Sequence, residues 1–456
     1  MSTLHPFKGL HYNQKIIKDI NKVLAPPYDV ISPEFQEDLY SRDPANIIRL
    51  ILAKKGPETE DGEEKRYRDA LNDFNSWRAD NILEKEEKAA IYYYTQEYTV
   101  ADVKYLRKGF IAARELEEFG KGSIFPHEKT LSGPKKDRLK LMKALKCNLS
   151  CIFSIFSDSD LAVEERPTYL LEKDAEGRAP LIEATDDDGI INRVWVIDDA
   201  DIIAKLCKSM EGRNVFIADG HHRYETALNY KNFMRSENND APGPYDSIMM
   251  YFSSMDDDGM VVLPTHRAIH SLENLNVDSF LKSCEEYFFI DDFFYNDDME
   301  ALAKDRFLDK LYHSEEDSDG KNKSISFGLY IKEKSSYFIL TLKDIKLIDK
   351  IFDASVPDVY KSLDVTILHS LILERILHIS IAAQEKKTNI KYIKDLDDAI
   401  GEVREGDKQM VFLMNPTKIA QVKAVAEAGL VMPQKSTYFY PKLLTGLTIN
   451  PLDPAI

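Results

Sequence analysis

Cysteine and long apolar segments are both scarce in this chain of 456 residues. Four cysteines are too few for a disulfide framework at this length. Cys147 and Cys151 lie four residues apart, but two thiols do not make a zinc site. No apolar run approaches the roughly 20 residues that span a bilayer, and the first residues lack the basic and apolar regions of a signal peptide. We therefore expect a cytoplasmic protein with reduced cysteines and no membrane partner.

Positive charge is also in short supply. The chain has 60 Lys and Arg residues against 78 Asp and Glu residues, which gives a formal net charge of −18. Because affinity for a nucleic-acid backbone comes from basic patches that neutralise phosphates, this balance argues against a nucleic-acid partner. We expect small-molecule substrates instead, and the sequence leaves the oligomeric state open, a homodimer included.

Three familiar catalytic motifs are missing from the sequence. It contains no Gly-x-x-x-x-Gly-Lys-Ser/Thr P-loop and no protein-kinase Gly-rich loop with a His-Arg-Asp motif. A Gly-x-Ser-x-Gly elbow is absent too, so nothing supports a serine hydrolase. An enzyme that handles phosphate here would need another fold.

Segments with strand and helix patterns follow one another along the chain and predict a mixed α/β fold. Leu363–Ile379 carries apolar residues at helical spacing, with Asp364 as a plausible N-cap. Ile325–Ile331 and Ser336–Leu342 are typical of an antiparallel hairpin. The short apolar run Ile47–Leu52 predicts a buried strand.

The most informative segment is Val215–Thr226, which predicts a buried strand, a glycine turn and the start of a helix. The first N–H groups of a helix lack intrahelical partners and lie at the positive end of its dipole, so they suit an anion such as phosphate. Arg223 in the first turn opposes the dipole, which makes sense if an anion binds there. The segment therefore indicates phosphate chemistry around Asp219, Gly220 and Arg223.

Two adjacent histidines in this segment, His221 and His222, raise the question of a metal site. Neighbouring helical residues point about 100° apart, whereas helical zinc pairs lie at i and i+4. We therefore predict no directly ligated metal. A polar helix cap without a ligand is the simpler alternative for the whole segment.

Three further places could carry chemistry. Glu128 precedes a Lys-rich helix and could act as a general base beside a phosphate. Thr265, His266 and Arg267 follow an apolar strand and suit a substrate carboxylate or phosphate. Lys435 lies in a proline-bounded loop with hydroxyl and aromatic residues. A surface carboxylate, a strand-end cap with a salt bridge and a packed loop are the respective structural alternatives.

These motifs together resemble known proteins. Pro126-His127-Glu128, an Arg-containing helix, a buried strand and then Asp219–Arg223 look like SerK-type free-serine kinases of the ParB/sulfiredoxin fold. The whole chain also resembles a bacterial and archaeal family known as a domain of unknown function. That likeness rests on Ala25–Val30, on Pro126–Thr130, on Ala218–Tyr224, on Leu263–Arg267 and on Met432–Gly446.

The resemblance implies a role for each candidate residue. Gly220, His221, His222 and Arg223 would bind the donor phosphates, and Glu128 would activate the hydroxyl of free L-serine. Asp219 would orient the acceptor or hold Mg²⁺ through water. Thr265, His266 and Arg267 would hold the serine carboxylate, with Lys435 as a further substrate contact. The donor would be ATP, ADP or pyrophosphate with Mg²⁺.

The resemblance also implies a division of the chain into three parts. Residues 1–104 would form an N-terminal α/β part, residues 105–290 the ParB/sulfiredoxin-like catalytic core, and residues 291–456 a C-terminal α/β part. About 60 residues, 158–214, would be an insertion into that core. Other functions stay open: a kinase or phosphatase for another small hydroxy compound, or a non-catalytic ParB-like nucleotide-binding regulator.

Overall fold

The computed structural model describes residues 3–54, 56, 60–128, 132–313, 324–353 and 355–456. Lys129 and Thr130 of one family motif lie outside these ranges. The chain forms two compact units. The first comprises residues 1–126, 130–261 and 439–456, and the second comprises residues 127–129 and 262–438. These bounds differ from the predicted three parts, a division that stays a prediction.

The described residues contain 21 strands. They are β1 (Leu4–His5), β2 (Leu10–Tyr12), β3 (Leu83–Lys85), β4 (Ile91–Val100), β5 (Val103–Glu115), β6 (Ile124–Phe125), β7 (Cys147–Asn148), β8 (Ile152–Phe156), β9 (Ile182–Thr185), β10 (Ile191–Ile197), β11 (Val215–Asp219), β12 (Ser247–Ser254), β13 (Val261–Leu263), β14 (His266–Ile269), β15 (Phe288–Phe294), β16 (Ser326–Ile331), β17 (Ser336–Leu342), β18 (Ile390–Ile393), β19 (Met410–Leu413), β20 (Tyr438–Tyr440) and β21 (Asn450–Pro451).

The described α-helices are α1 (Pro33–Arg42), α2 (Ile48–Ile51), α3 (Glu60–Ala79), α4 (Ser132–Leu145), α5 (Pro167–Ala175), α6 (Ala200–Ser209), α7 (His221–Glu237), α8 (Val277–Cys284), α9 (Glu300–His313), α10 (Asp358–Lys361), α11 (Asp364–Ile367), α12 (Ile381–Lys386), α13 (Leu396–Arg404) and α14 (Ile419–Glu427). A π-helix spans Leu368–Ile376, and short 3₁₀ turns span Ile20–Lys22, Tyr28–Val30, Val163–Glu165, Pro244–Asp246, Asp297–Met299 and Ile345–Lys350.

A mixed sheet organises the first unit. Its strands lie in the order β6-β11-β8-β12-β5-β4-β10-β9, with β1 also paired to β5. The pairs β11–β6 and β12–β8 are parallel, whereas β11–β8 and β4–β5 are antiparallel. The predicted insertion supplies β9 and β10, which extend this sheet beyond β4. The site strand β11 lies next to the opposite edge of the sheet.

The second unit contains an antiparallel sheet in the order β15-β17-β16-β19-β14-β18. One apolar cluster joins buried residues of this sheet, α8 and the π-helix, and another joins residues of the sheet, α9 and α13. The sheet therefore has an apolar core on each side. The predicted hairpin is confirmed as β16 and β17. Together the two units confirm the mixed α/β fold class.

Two local predictions were wrong. Ile47–Leu52 is not a strand, because Ile48–Ile51 form the short helix α2, which begins where the Asn46 side chain accepts the Ile48 N–H at 2.9 Å. Its apolar residues are buried on all sides, so their pattern did not distinguish helix from strand. The predicted helix over 363–379 is confirmed as α11 followed by the π-helix, but its predicted N-cap is wrong, because Asp364 lies inside α11 and Leu363 is the N-cap.

The cysteines lie in both units, three in the first and Cys284 in the second. The four cysteines are free, and burial raises the pKa of the Cys147 and Cys151 thiols to about 12. Among the helices in the described ranges, none combines the length and the apolar composition needed to cross a bilayer.

Candidate active site

The segment Val215–Asp219 forms β11, and α7 begins immediately after the single residue Gly220, as the sequence predicted. The strand is buried as far as Ala218. Its pairing with β8 shifts register between Ile217 and Asp219. Such bulges redirect a side chain at the end of a strand. The shift occurs where the polar residues of the turn begin.

Gly220 has backbone angles that other residues rarely adopt, with φ 95° and ψ 23°. A Cβ atom added here would lie 3.0 Å from the guanidinium of Arg223. The glycine therefore allows both the turn and the close approach of that guanidinium. Gly220 also brings no side chain that could cap the first N–H groups of α7.

Asp219 lies between two cations. Its Oδ2 accepts a hydrogen bond from Arg223 Nη2 at 2.6 Å, and its Oδ1 accepts one from Lys442 Nζ at 2.7 Å. The three side chains are between 12% and 18% exposed, so water screens these pairs only weakly. One carboxylate with two cations leaves one positive charge at the start of a helix.

Arg223 is held in place by further contacts. Its Nη1 donates to Ser150 Oγ at 3.1 Å and to the carbonyl of Cys151. A small cavity of about 50 Å³ adjoins it, lined also by Tyr28 and Arg138. The Arg138 guanidinium lies 4.2 Å from the centre of the Tyr28 ring. Tyr28 belongs to the N-terminal family motif, so that motif lies beside the predicted phosphate turn.

The two histidines of the turn differ in burial. His221 is buried and His222 is half-buried. The carbonyl of His222 accepts a hydrogen bond from Thr226 Oγ1 at 2.7 Å. Within the ranges that the structure describes, no three His, Cys, Asp or Glu side chains form a group that could hold a metal ion.

Glu128 belongs to the second unit and is held by the C-terminal loop. Its Oε1 accepts the backbone N–H of Lys435 at 2.9 Å, and its backbone forms a parallel bridge with Met432. The neighbouring His127 is fully buried and contacts Thr437 Oγ1 through Nε2 at 2.8 Å. These contacts explain why this short segment belongs to the second unit.

Thr265, His266 and Arg267 are all buried. Arg267 donates to the carbonyls of Thr265 and Lys435, the latter at 3.0 Å. Burial lowers the pKa of Arg267 to about 10. Burial, and then the charge of Arg267, lower the pKa of His266 to about 4, and its Nδ1 accepts the Met414 N–H at 3.1 Å. Arg267 therefore holds the backbone of the loop that carries Lys435.

The predicted residues thus fall into two groups. Asp219, Gly220, His221, His222 and Arg223 share the turn of the first unit. In the second unit, Arg267 donates to the Lys435 carbonyl, and the Lys435 N–H donates to Glu128, with Thr265 and His266 beside Arg267.

Sequence reasoning did not assign Lys442 or Tyr28 to the phosphate site. Lys442 lies 223 residues after its partner Asp219, and the sequence marked it only as part of the family motif Met432–Gly446. The sequence indicated Tyr28 only as part of the family motif Ala25–Val30, to which it assigned no role. No local spacing links either residue to the turn.

Comparison with known proteins gives a family and several distant structural likenesses. The profile of the family described as "Protein of unknown function (DUF1015)" matches residues 4–366. No curated protein matches the chain.

Solved structures similar to the chain include a conserved hypothetical protein from Pyrococcus furiosus, with 12% identity, 72% of this chain and 91% of that chain covered, and a TM-score of 0.32. A free serine kinase in complex with AMP has 12% identity, 70% and 83% coverage, and a TM-score of 0.31. SbnI with a C-terminal truncation from Staphylococcus aureus has 8% identity, 75% and 87% coverage, and a TM-score of 0.33. Likenesses at this level carry no conclusion about the activity of this chain.

Proposed function

Because the chain belongs to the DUF1015 family of proteins of unknown function, its activity has to be inferred from its own residues, and we propose that it is a small-molecule kinase. It transfers a phosphoryl group from ATP, ADP or pyrophosphate to the hydroxyl of free L-serine. The donor binds at the turn of the first unit as its Mg²⁺ complex. Glu128 takes the proton from the acceptor hydroxyl.

The observation that carries this proposal is the arrangement of Asp219, Arg223 and Lys442 at the start of α7. Helix N–H groups and two cations that converge on one carboxylate form a site where an anion is stabilised. A donor phosphate competes with Asp219 for the same two cations. Asp219 thus keeps Arg223 and Lys442 close together when no phosphate is bound.

The leaving group, which is the remainder of the donor, gains negative charge on its bridging oxygen as the bond from that oxygen to phosphorus breaks. Arg223 and Lys442 stabilise that charge, and their low exposure strengthens the effect because little water screens them. Ser150 and Cys151 already orient the Arg223 guanidinium, so little reorganisation is needed when the donor phosphate replaces Asp219. This preorganisation favours the transition state over the bound donor.

Glu128 acts as general base in the proposed reaction. The serine oxygen forms the new bond to phosphorus while its proton moves to a carboxylate oxygen of Glu128. The Lys435 N–H holds Oε1 of Glu128 at 2.9 Å and so fixes the orientation of the carboxylate. Arg267 in turn holds the Lys435 carbonyl, which makes Arg267 a positioning residue.

The test is formation of O-phosphoserine by the purified full chain with Mg²⁺, L-serine and each donor in turn, measured by phosphorus NMR and mass spectrometry. We expect one donor to give product. Glu128→Gln should lower turnover by a factor of about 10² to 10⁴ and leave donor binding unchanged. Glu427→Gln, at an exposed glutamate of α14, is the matched control and should behave as the wild type.

Three results would contradict the proposal. Absence of O-phosphoserine with every donor would reject serine as the acceptor, and product from another hydroxy compound would identify a different kinase. Phosphate release from O-phosphoserine without a donor would identify a phosphatase. Full turnover by Glu128→Gln would remove Glu128 from the role of base.

A further inference from the structure

The second unit contains a cavity of about 140 Å³ that the proposed phosphoryl transfer does not use. Its lining comes from α10, the π-helix, α12, β18 and the segment 431–434, and it includes His369 and Tyr392. A water molecule occupies roughly 30 Å³ in the liquid, so the cavity has space for about four to five waters or one small organic molecule.

His369 is the buried polar residue of this cavity, with 7% of its surface exposed. Its Nδ1 lies 2.7 Å from Oε1 of Gln384. The amide nitrogen of Gln384 donates to the carbonyls of Ile379 at 2.9 Å and His369 at 3.2 Å. The Gln384 oxygen is therefore the acceptor, and the proton of the imidazole resides on Nδ1.

Nε2 of His369 consequently presents a lone pair. This buried atom has no hydrogen-bond partner among the residues that the structure describes. Burial, and then the charge of Arg267, lower the pKa of His369 to about 3, so the ring stays neutral and Nε2 stays an acceptor. An unsatisfied buried acceptor destabilises the fold, and a donor group of a ligand would offset that cost.

The backbone around His369 gives independent support. His369 lies in a π-helix, where the Leu377 N–H donates to the Ile372 carbonyl five residues earlier, at 2.9 Å. π-helical turns are rare and occur frequently at functional sites. The wide turn lies in the segment that carries the unsatisfied acceptor.

The charge of the lining selects among donor groups. Glu374 and Glu385 line the cavity, and its described lining contains no lysine or arginine. The Tyr392 ring already has the Arg267 guanidinium 5.6 Å and the Lys387 ammonium 6.0 Å from its centre, so the ring is not counted as a contact for a ligand cation. A lone-pair acceptor and two carboxylates are the groups that an ammonium ion needs, and the carboxylates offset the positive charge that Arg267 places near His369.

We propose that this cavity binds the primary ammonium group of a small organic molecule, with His369 Nε2 and Glu374 as its acceptors. The source of the ammonium group is a free amino acid or a simple amine. The inference does not depend on phosphoryl transfer, because it concerns binding alone.

Occupancy of the cavity bears on the segment that holds Glu128. Met432, Pro433 and Gln434 line the cavity, and Met432 donates its N–H to the His127 carbonyl at 2.7 Å. The next residue, Lys435, donates its N–H to Glu128. A ligand against this segment restrains the same backbone that orients the Glu128 carboxylate. If serine is the phosphate acceptor, its own ammonium group is a natural occupant.

The experiment is isothermal titration calorimetry of the full chain with three probes. L-Serine carries an ammonium, a hydroxyl and a carboxylate; ethanolamine lacks the carboxylate; 3-hydroxypropionate lacks the ammonium. We expect binding of L-serine or ethanolamine and none of 3-hydroxypropionate. Binding of L-serine alone identifies an amino acid as the ligand, and binding of ethanolamine alone identifies an amine.

Variants locate the binding. Glu374→Gln should weaken binding about tenfold or more, because it removes a charge-assisted hydrogen bond, and His369→Phe should abolish it. Glu427→Gln is the matched control. Glu374 is half-buried, so its variant should fold even if His369→Phe does not, which circular dichroism checks.

The inference is overturned if neither ammonium compound binds the wild type, or if Glu374→Gln binds both as the wild type does. These outcomes are independent of kinase activity. A chain that binds L-serine through Glu374 but makes no O-phosphoserine would support the cavity and reject the proposed function.

Discussion

Replacement of Gly220 by alanine tests how the phosphate turn is built. At φ 95° an alanine is strained, and its Cβ would meet the Arg223 guanidinium at 3.0 Å. Arg223 can move only by giving up contacts, because Asp219, Ser150 and Cys151 hold it. The substitution therefore perturbs both the backbone and the main cation of the site.

Another glycine of the same unit separates these two effects. Gly177 follows α5 with φ 75°, and a Cβ there would contact nothing within 4 Å. Gly177→Ala should lower the free energy of unfolding by the backbone strain alone, about 1–3 kcal/mol. Gly220→Ala should lower it by a further 1.5–3 kcal/mol, roughly the value of one hydrogen bond to a charged group.

Urea denaturation followed by circular dichroism measures both variants, and titration with Mg²⁺–ADP measures donor binding. We expect Gly220→Ala to be the less stable of the two and to lose donor affinity, while Gly177→Ala binds as the wild type does. Equal loss of stability in the two variants, together with unchanged donor affinity in Gly220→Ala, would refute the argument that Gly220 is needed for the placement of Arg223.

Two further predictions concern single side chains. Lys442→Ala should destabilise the chain by about 1–3 kcal/mol and weaken Mg²⁺–ADP binding, because Asp219 loses one of its two cations. Lys205→Ala, at an exposed lysine, is the control. Equal Mg²⁺–ADP affinities of the two variants would contradict this role of Lys442. The pKa of His266 is about 4 in the folded state and about 6.5 in the unfolded state, so the unfolded state binds more protons between these pH values. The free energy of unfolding therefore falls as the pH drops from 6.5 towards 4, by up to about 1.4 kcal/mol per pH unit. His11 has a raised pKa, so it changes stability with pH in the opposite sense. The test therefore compares the free energies of unfolding of the wild type and of His266→Gln, measured by urea denaturation across this pH range. Identical pH profiles of the two proteins would contradict the prediction.

The strand, turn and helix start of residues 215–226 were predictable because all their determinants lie within a dozen residues. A buried strand, one glycine and a polar helix start are local patterns with a direct structural meaning. The cations around Asp219 were not equally accessible. Arg223 is a neighbour in the chain, but Lys442 reaches Asp219 only through the return of the C-terminus. Local patterns do not report such long-range pairs.

Other parts of the fold were beyond sequence reasoning for a different reason. The apolar residues Ile47, Ile48, Leu50 and Ile51 are all buried, so the run carries no period from which helix and strand can be told apart. The π-helix at Leu368–Ile376 has the apolar spacing of an ordinary helix. Its extra residue per turn leaves no compositional mark, and the importance of His369 therefore appeared only with the packing around it.

The path of the chain also determines when the phosphate site can be completed. The first unit is made mostly of early residues, yet Ala25 pairs with Thr445, and β7 pairs with β21, after the whole second unit has been synthesised. A ribosome-bound chain that ends before residue 442 lacks the second cation of Asp219. Residue 442 therefore has to leave the ribosome before Asp219 gains its second cation, so the proposed phosphate site is completed only after the second unit has been synthesised.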